Sequence, residues 1–174
     1  MNLYENEFYL EDLDYVCGLD LPWEKLQGKS VLLSGATGLV GSFLVDVLLS
    51  KNIDCTVYAL GRNEERAKDR FSKWFDDDHL FFIPYDINIP LIRPDLGTID
   101  YVFHMASNTH PMQYSTDPIG TITINIFGVQ NMLDFAVEHH ATRFVFTSSN
   151  EIYGENRGDV EMFDENYCGY IRKH

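Results

Sequence analysis

Positive charge is scarce in this sequence. Thirteen Lys and Arg stand against 27 Asp and Glu, for a formal net charge of −14 over 174 residues. A nucleic-acid binder needs a basic face, and an anionic membrane surface attracts one, so neither partner is expected. The acidity is read as favouring solubility. Cysteine is also sparse: Cys17, Cys55 and Cys168 are widely spaced, form no CxxC pair and no zinc pattern, and are odd in number. That argues against a disulfide framework and a cysteine zinc site, and reduced thiols in a cytoplasmic protein are the simple reading. No apolar run approaches the roughly 20 residues of a membrane-spanning helix. The acidic start, residues 1–14, lacks the basic and then apolar segments of a secretory leader. Internal repeats and low-complexity tracts are missing too.

What remains is the text of one globular domain. Residues 1–29 carry apolar residues at partly helical spacing and read as an N-terminal helical extension of one or two short helices, bent at Leu21-Pro22-Trp23. From residue 30 to 174 short apolar runs alternate with amphipathic segments. Strands are expected at 30–34, 55–60, 80–85, 101–105 and 143–148. Helices are expected from Leu39 to Lys51, after a cap at Asn63, and over residues 118–140. This alternation predicts an α/β domain with a doubly wound, Rossmann-like parallel sheet of about five strands. The 118–140 helix is apolar on more than one side, so it needs two partners, the sheet and a second surface.

Between the first strand and the first helix lies Gly35-Ala36-Thr37-Gly38-Leu39-Val40-Gly41. Glycine is required where a turn is tight, where backbone must approach a pyrophosphate and where a helix packs close to a strand. The helix start then offers free N–H groups and partial positive charge to phosphates. An acid about 20 residues further on would bind a ribose 2′-hydroxyl, but Gly61-Arg62 stands there. Arg62 could meet a 2′-phosphate, which favours NADP over NAD; otherwise it is a solvated residue ahead of a helix.

The spacing Gly-x-x-Gly-x-x-Gly resembles the extended short-chain dehydrogenase/reductases, the NAD-dependent epimerases and dehydratases that act on nucleotide sugars. Further segments carry the likeness in order: Asp86-Ile87, Phe103-His104-Met105-Ala106-Ser107, Asn125-Ile126-Phe127-Gly128, and Thr147-Ser148-Ser149-Asn150-Glu151-Ile152-Tyr153-Gly154. The resemblance implies that Gly35, Thr37, Gly38, Leu39, Val40 and Gly41, with Asp86, Ile87, Met105, Ala106, Ser107, Thr147 and Ser148, contact NAD or NADP. It gives Ser149 a hydrogen bond to a sugar 4-hydroxyl. It also implies a nucleotide-sugar substrate, a 4-keto sugar intermediate and a homodimer built on the 118–140 helix.

Ser149-Asn150-Glu151 resembles the Thr-Asp-Glu of sugar 4,6-dehydratases and the Thr-Ser-Glu of UDP-glucuronate decarboxylases. An amide at 150 cannot donate a proton to a leaving hydroxyl, so epimerisation or decarboxylation fits better than dehydration. The plainer alternatives are a surface carboxylate for Glu151 and a strand-end cap for Ser149. His104 reads as a buried structural residue. The family's Tyr-x-x-x-Lys pair, which moves the proton and holds the cofactor ribose, is not found: Tyr170 has Lys173 at spacing three and His174 at four, and Tyr167 is followed at four by Ile171. The 174 residues are therefore expected to be the N-terminal part of such an enzyme, inactive alone and weakly stable as a monomer because apolar helix surface is left uncovered. The competing reading is a cofactor-binding sensor without turnover.

Overall fold

A computed structural model describes residues 2–108 and 111–171 of the chain. Lys173 and His174 lie outside the described residues. Five parallel strands form the sheet: β1 Ser30–Ser34, β2 Thr56–Gly61, β3 Leu80–Pro84, β4 Tyr101–His104 and β5 Arg143–Phe146. Their order is β3-β2-β1-β4-β5, so the chain reverses direction across the sheet between β1 and β4. Among the described residues the α-helices are α1 Glu7–Gly18, α2 Leu39–Ser50, α3 Glu64–Arg70, α4 Pro111–Thr116 and α5 Pro118–Glu138.

The residues explain the layers. Successive side chains of β1 point to opposite faces, so Val31 and Leu33 enter one core with Val45, Leu48, Ala67 and Phe71 of the α2–α3 side. Leu32 enters the other core with Ile124, Met132 and Phe135 of α5. A central strand covered on both faces is apolar throughout, as Val31-Leu32-Leu33 is. Helix starts follow their caps. Asn63 accepts from Arg66 N–H at 2.8 Å, and Asp117 accepts from Gly120 N–H at 2.9 Å ahead of Pro118.

The expected strands and long helices are all present, with ends that differ by one or two residues. β5 stops at Phe146, because the backbone beyond it leaves the ladder for the 3-10 turn Asn150–Tyr153. α4 had no clear signal in the sequence: six residues are too few to show a period. α5 behaves as its pattern requires. Ile124, Gly128, Met132, Phe135 and Ala136 are buried, whereas Ile119, Ile122, Ile126, Phe127, Leu133 and Val137 are exposed among the described residues.

One buried group was not anticipated. Asp46 on α2 is fully inaccessible and forms an ion pair with Arg70 Nη2 at 2.6 Å. Its Oδ1 accepts from Tyr4 Oη at 2.8 Å and from Trp74 Nε1 at 2.9 Å, and its Oδ2 accepts from Tyr9 Oη. Arg70 also donates to the Tyr9 hydroxyl at 2.6 Å. Tyr4 and Tyr9 thereby fasten the N-terminal segment to α2 and to the end of α3. Burial, more than the carboxylate beside it, pushes the Tyr9 hydroxyl from 10.0 up to about 12, and Tyr4 moves the same way.

Removing one partner of a buried, hydrogen-bonded pair leaves the other charge stranded. Asp46→Ala is expected to cost about 3–5 kcal/mol of stability, read from urea unfolding. The tyrosines give the pH sign. Their folded-state values lie above the unfolded one, so their contribution is complete below about pH 10 and is lost as pH rises towards 12. Unfolding midpoints across that window should fall steeply in the wild type and less so in Tyr9→Phe.

Candidate functional site

The site begins where β1 ends. Gly35 turns the chain at φ +72°, and a Cβ there would lie 2.8 Å from the Met105 carbonyl and from Ala106 N. Gly38 is the N-cap of α2, donating to Gly35 O at 3.0 Å and accepting from Ser42 N–H at 2.9 Å. At Gly41 a Cβ would lie 2.4 Å from Gly35 O. The three glycines therefore let three backbone segments meet at one point and leave the first turn of α2 facing outward. The opening N–H groups of a helix have no acceptor within the helix, so they are presented to whatever lies in front of them.

In front of them is a cleft of about 400 Å³ at the carboxyl ends of β1, β2 and β4. This is the switch point of the sheet, where open α/β folds place ligands. Its walls include Gly35, Thr37, Gly38, Leu39, Val40, Gly41, Arg62, Ile87, Met105, Ala106, Ser107 and Thr147, all anticipated from the sequence. Leu39 is 91% exposed and Val40 64%, an unusual state for large apolar residues in the first turn of an otherwise well-buried helix. Arg66, Tyr85, Asn108 and Ile124 also line the cleft and were not anticipated. Arg66 lies one helical turn past Arg62 (on α3, whose cap at Asn63 was legible), and its guanidinium donates to Thr37 O at 3.4 Å. A basic residue four positions on, after a helix cap, was the available signal.

The remaining predicted residues divide. Asp86 does not line the cleft; its carboxylate accepts from Asn88 N–H and Asn88 Nδ2 at 3.0 Å, closing a turn after β3. Ser148, Ser149 and Glu151 are exposed beyond β5, outside the residues that wall the cleft. Ser149 caps the turn Asn150–Tyr153 and accepts from Glu151 N–H at 3.2 Å. That bond places Ser149 and Glu151 beside each other, two residues past Thr147 at the cleft edge. His104 is buried. The Asn125-to-Gly128 segment has a plain structural role. Asn125 Oδ1 accepts from Ser107 Oγ at 3.0 Å, and Gly128 lets α5 close on Ile87, whose Cγ1 would lie 3.0 Å from an added Cβ.

The charge of the cleft is opposite to that of the chain. Arg62 and Arg66 line it, and no Asp or Glu does among the described residues, although the net charge is −14. A helix start, two guanidinium groups and apolar walls suit an anionic, partly aromatic ligand with phosphates. The residues present thus fit a dinucleotide. Gly41→Ala tests the geometry: the new methyl must displace Gly35 O, so melting is expected to fall with a loss of about 1–3 kcal/mol, and dinucleotide binding is expected to weaken in parallel.

Fold and cleft together define a Rossmann-like dinucleotide-binding domain. The chain belongs to the NAD dependent epimerase/dehydratase family, whose model matches residues 31–172. It is similar to UDP-glucuronic acid decarboxylase 5 of Arabidopsis thaliana, 33% identical over 141 residues that cover 81% of this chain and 39% of that protein. Among solved structures it is similar to MoeE5 in complex with UDP-glucose and NAD, at 25% identity and a TM-score of 0.64, covering 82% of this chain and 42% of that one. It shares its fold with DesIV, the dTDP-glucose 4,6-dehydratase of Streptomyces venezuelae, at 24% identity and a TM-score of 0.70, covering 82% and 45%. The chain thus spans less than half the length of these proteins. Among the described residues no helix is long and apolar enough to cross a membrane.

Proposed function

We propose that these residues are the cofactor-binding part of an enzyme that remodels a nucleotide sugar through a 4-keto intermediate, with UDP-glucuronic acid as the substrate class. The observation that carries the reading is a cleft that is cationic in an acidic chain, built on the glycine turn and the start of α2. The one-third identity to a UDP-glucuronic acid decarboxylase supports the substrate class. A solved neighbour with NAD bound supports the cofactor class. Bound nicotinamide would supply reversible oxidation at the sugar C4.

The chain's own groups then have separate tasks. The first turn of α2 and the glycines hold the pyrophosphate. Arg62, with Arg66 beside it, takes a 2′-phosphate, which makes NADP preferred to NAD. Met105, Ala106, Ser107, Ile87, Thr147 and Ser148 shape the rest of the cofactor surface, and Asp86 orders the loop that carries Ile87. The Ser149 hydroxyl, which already accepts from Glu151 N–H, keeps its own proton to donate to the sugar at C4. Glu151 stands beside it as a carboxylate for the C5 side. Asn150 leaves no acid there for a departing 6-hydroxyl, so decarboxylation or epimerisation is favoured over dehydration. The exposed face of α5 serves a homodimer, and the location is cytoplasmic.

The 174 residues contain no Tyr and Lys at four-residue spacing. By themselves they are proposed to bind cofactor, to be weakly stable as a monomer, and not to turn over sugar. The same observation favours a second reading, a dinucleotide sensor without catalysis. Assay of the complete gene product separates the two, because release of carbon dioxide or formation of the 4-epimer from UDP-glucuronic acid excludes the sensor. Calorimetry on the chain itself tests the cofactor assignment. Tighter binding of NADP than NAD is expected, with the difference reduced about tenfold or more in Arg62→Ala; a preference for NAD overturns the role given to Arg62. In the active full-length protein, Glu151→Gln is expected to lower kcat by about 100-fold with cofactor affinity unchanged.

A further inference from the structure

At the end of β1 and β4 lies a buried hydrogen-bonded pair that the proposed chemistry does not use. Ser34 Oγ is 2.7 Å from His104 Nδ1, and both residues are 1% exposed. The same hydroxyl oxygen accepts from Ala106 N–H at 3.4 Å and from Met105 N–H at 3.2 Å, the latter shared with the Ser34 carbonyl oxygen, also at 3.2 Å. A serine hydroxyl has one proton and two lone pairs. With the Ala106 N–H and the shared Met105 N–H directed at the lone pairs, its proton goes to His104 Nδ1. Nδ1 must then be bare and the ring proton must sit on Nε2. His104 Nε2 is buried and has no hydrogen-bond partner among the described residues. The ring is stacked on Phe146 with centroids 5.6 Å apart and lies 6.4 Å from Phe144. Burial also pushes the imidazole below its ordinary range, in the direction of the neutral ring.

Residues 105 and 106 press closely on the glycine turn. Their backbone lies 2.8 Å from the Cβ position of Gly35, and both residues line the cleft. We propose that His104, as the neutral Nε2–H tautomer, is a positioning residue: it orients the Ser34 hydroxyl as an acceptor for Ala106 and Met105, and so fixes the height of the cofactor-cleft floor under the glycine turn. The inference rests on the cofactor reading of the cleft. An uncompensated buried Nε2–H is the cost of this arrangement, since the other tautomer would free Nε2 as an acceptor but would direct three N–H donors at the two lone pairs of Ser34 Oγ and leave the hydroxyl proton without an acceptor.

Nitrogen-15 NMR of the wild-type chain reads the tautomer with no substitution. The proton is expected on Nε2, with Nδ1 in the bare acceptor range, and a proton on Nδ1 overturns the proposal. His104→Leu removes the acceptor, whereas His104→Asn keeps an acceptor oxygen near the Nδ1 position. The Leu variant is expected to raise the Kd for NADPH about tenfold and to speed exchange of the Ala106 amide by a similar factor, and the Asn variant is expected to restore both. A role confined to stability would lower melting in both variants and leave the Kd of the folded protein unchanged, which also overturns it. If the wild type binds neither NADPH nor NADH, the cofactor reading fails instead, and tautomer and amide exchange still decide whether the anchor exists.

Discussion

The site depends on one contact between backbones. Gly35, at the end of β1, has no room for a side chain on either flank: the carbonyl of Met105 presses from one direction, and the start of α2 at Gly41 presses on its carbonyl from the other. Strand, loop and helix can converge only while these positions carry hydrogen alone. Everything that gives the cleft its character follows from that convergence. The first turn of α2 points into the switch point, Leu39 and Val40 are left bare, and the loop after β4 becomes a floor. The cleft is less a hollow between elements than the product of forcing three backbones together.

Electrostatics then selects what enters. In a strongly acidic chain, an approach path would repel phosphates unless the mouth reversed the sign locally. Arg62 and Arg66 do so from the end of β2 and the next helix, and no carboxylate lines the cleft among the described residues. Asp86 lies outside the cleft lining, with its Oδ1 accepting from the backbone and side chain of Asn88. The −14 charge and the cationic mouth are compatible because they occupy different surfaces.

The fold was legible because its signals are local. Apolar runs such as Val31-Leu32-Leu33, the glycine turn and the cap at Asn63 each specify a backbone state within a few residues, and the alternation of strand and helix specifies the parallel topology. The site was legible where a motif names contiguous residues, as from Gly35 to Gly41. It was not legible where residues far apart in sequence meet. Ser34 and His104 lie 70 positions apart. Asp46 sits in an apolar helical text that gives no hint of Tyr4, Tyr9, Arg70 and Trp74 around it. Arg66 was hidden in a charged run that reads equally well as a solvated face. Asp86, read as a cofactor contact, accepts through Oδ1 from Asn88 two residues on, a local turn that the sequence did not announce.

The Asp46 cluster separates two ideas of where this unit begins. Kinship, as the family model traces it, starts at residue 31, yet a carboxylate inside that stretch has two of its hydrogen-bond donors on residues 4 and 9. Trimming the gene to the recognisable segment would remove both phenols and open one side of a formerly sealed ion pair to solvent, on the helix whose first turn faces the cleft. For this protein the inherited boundary and the physical boundary differ, and expression work that follows the first will be handling a different molecule from the second.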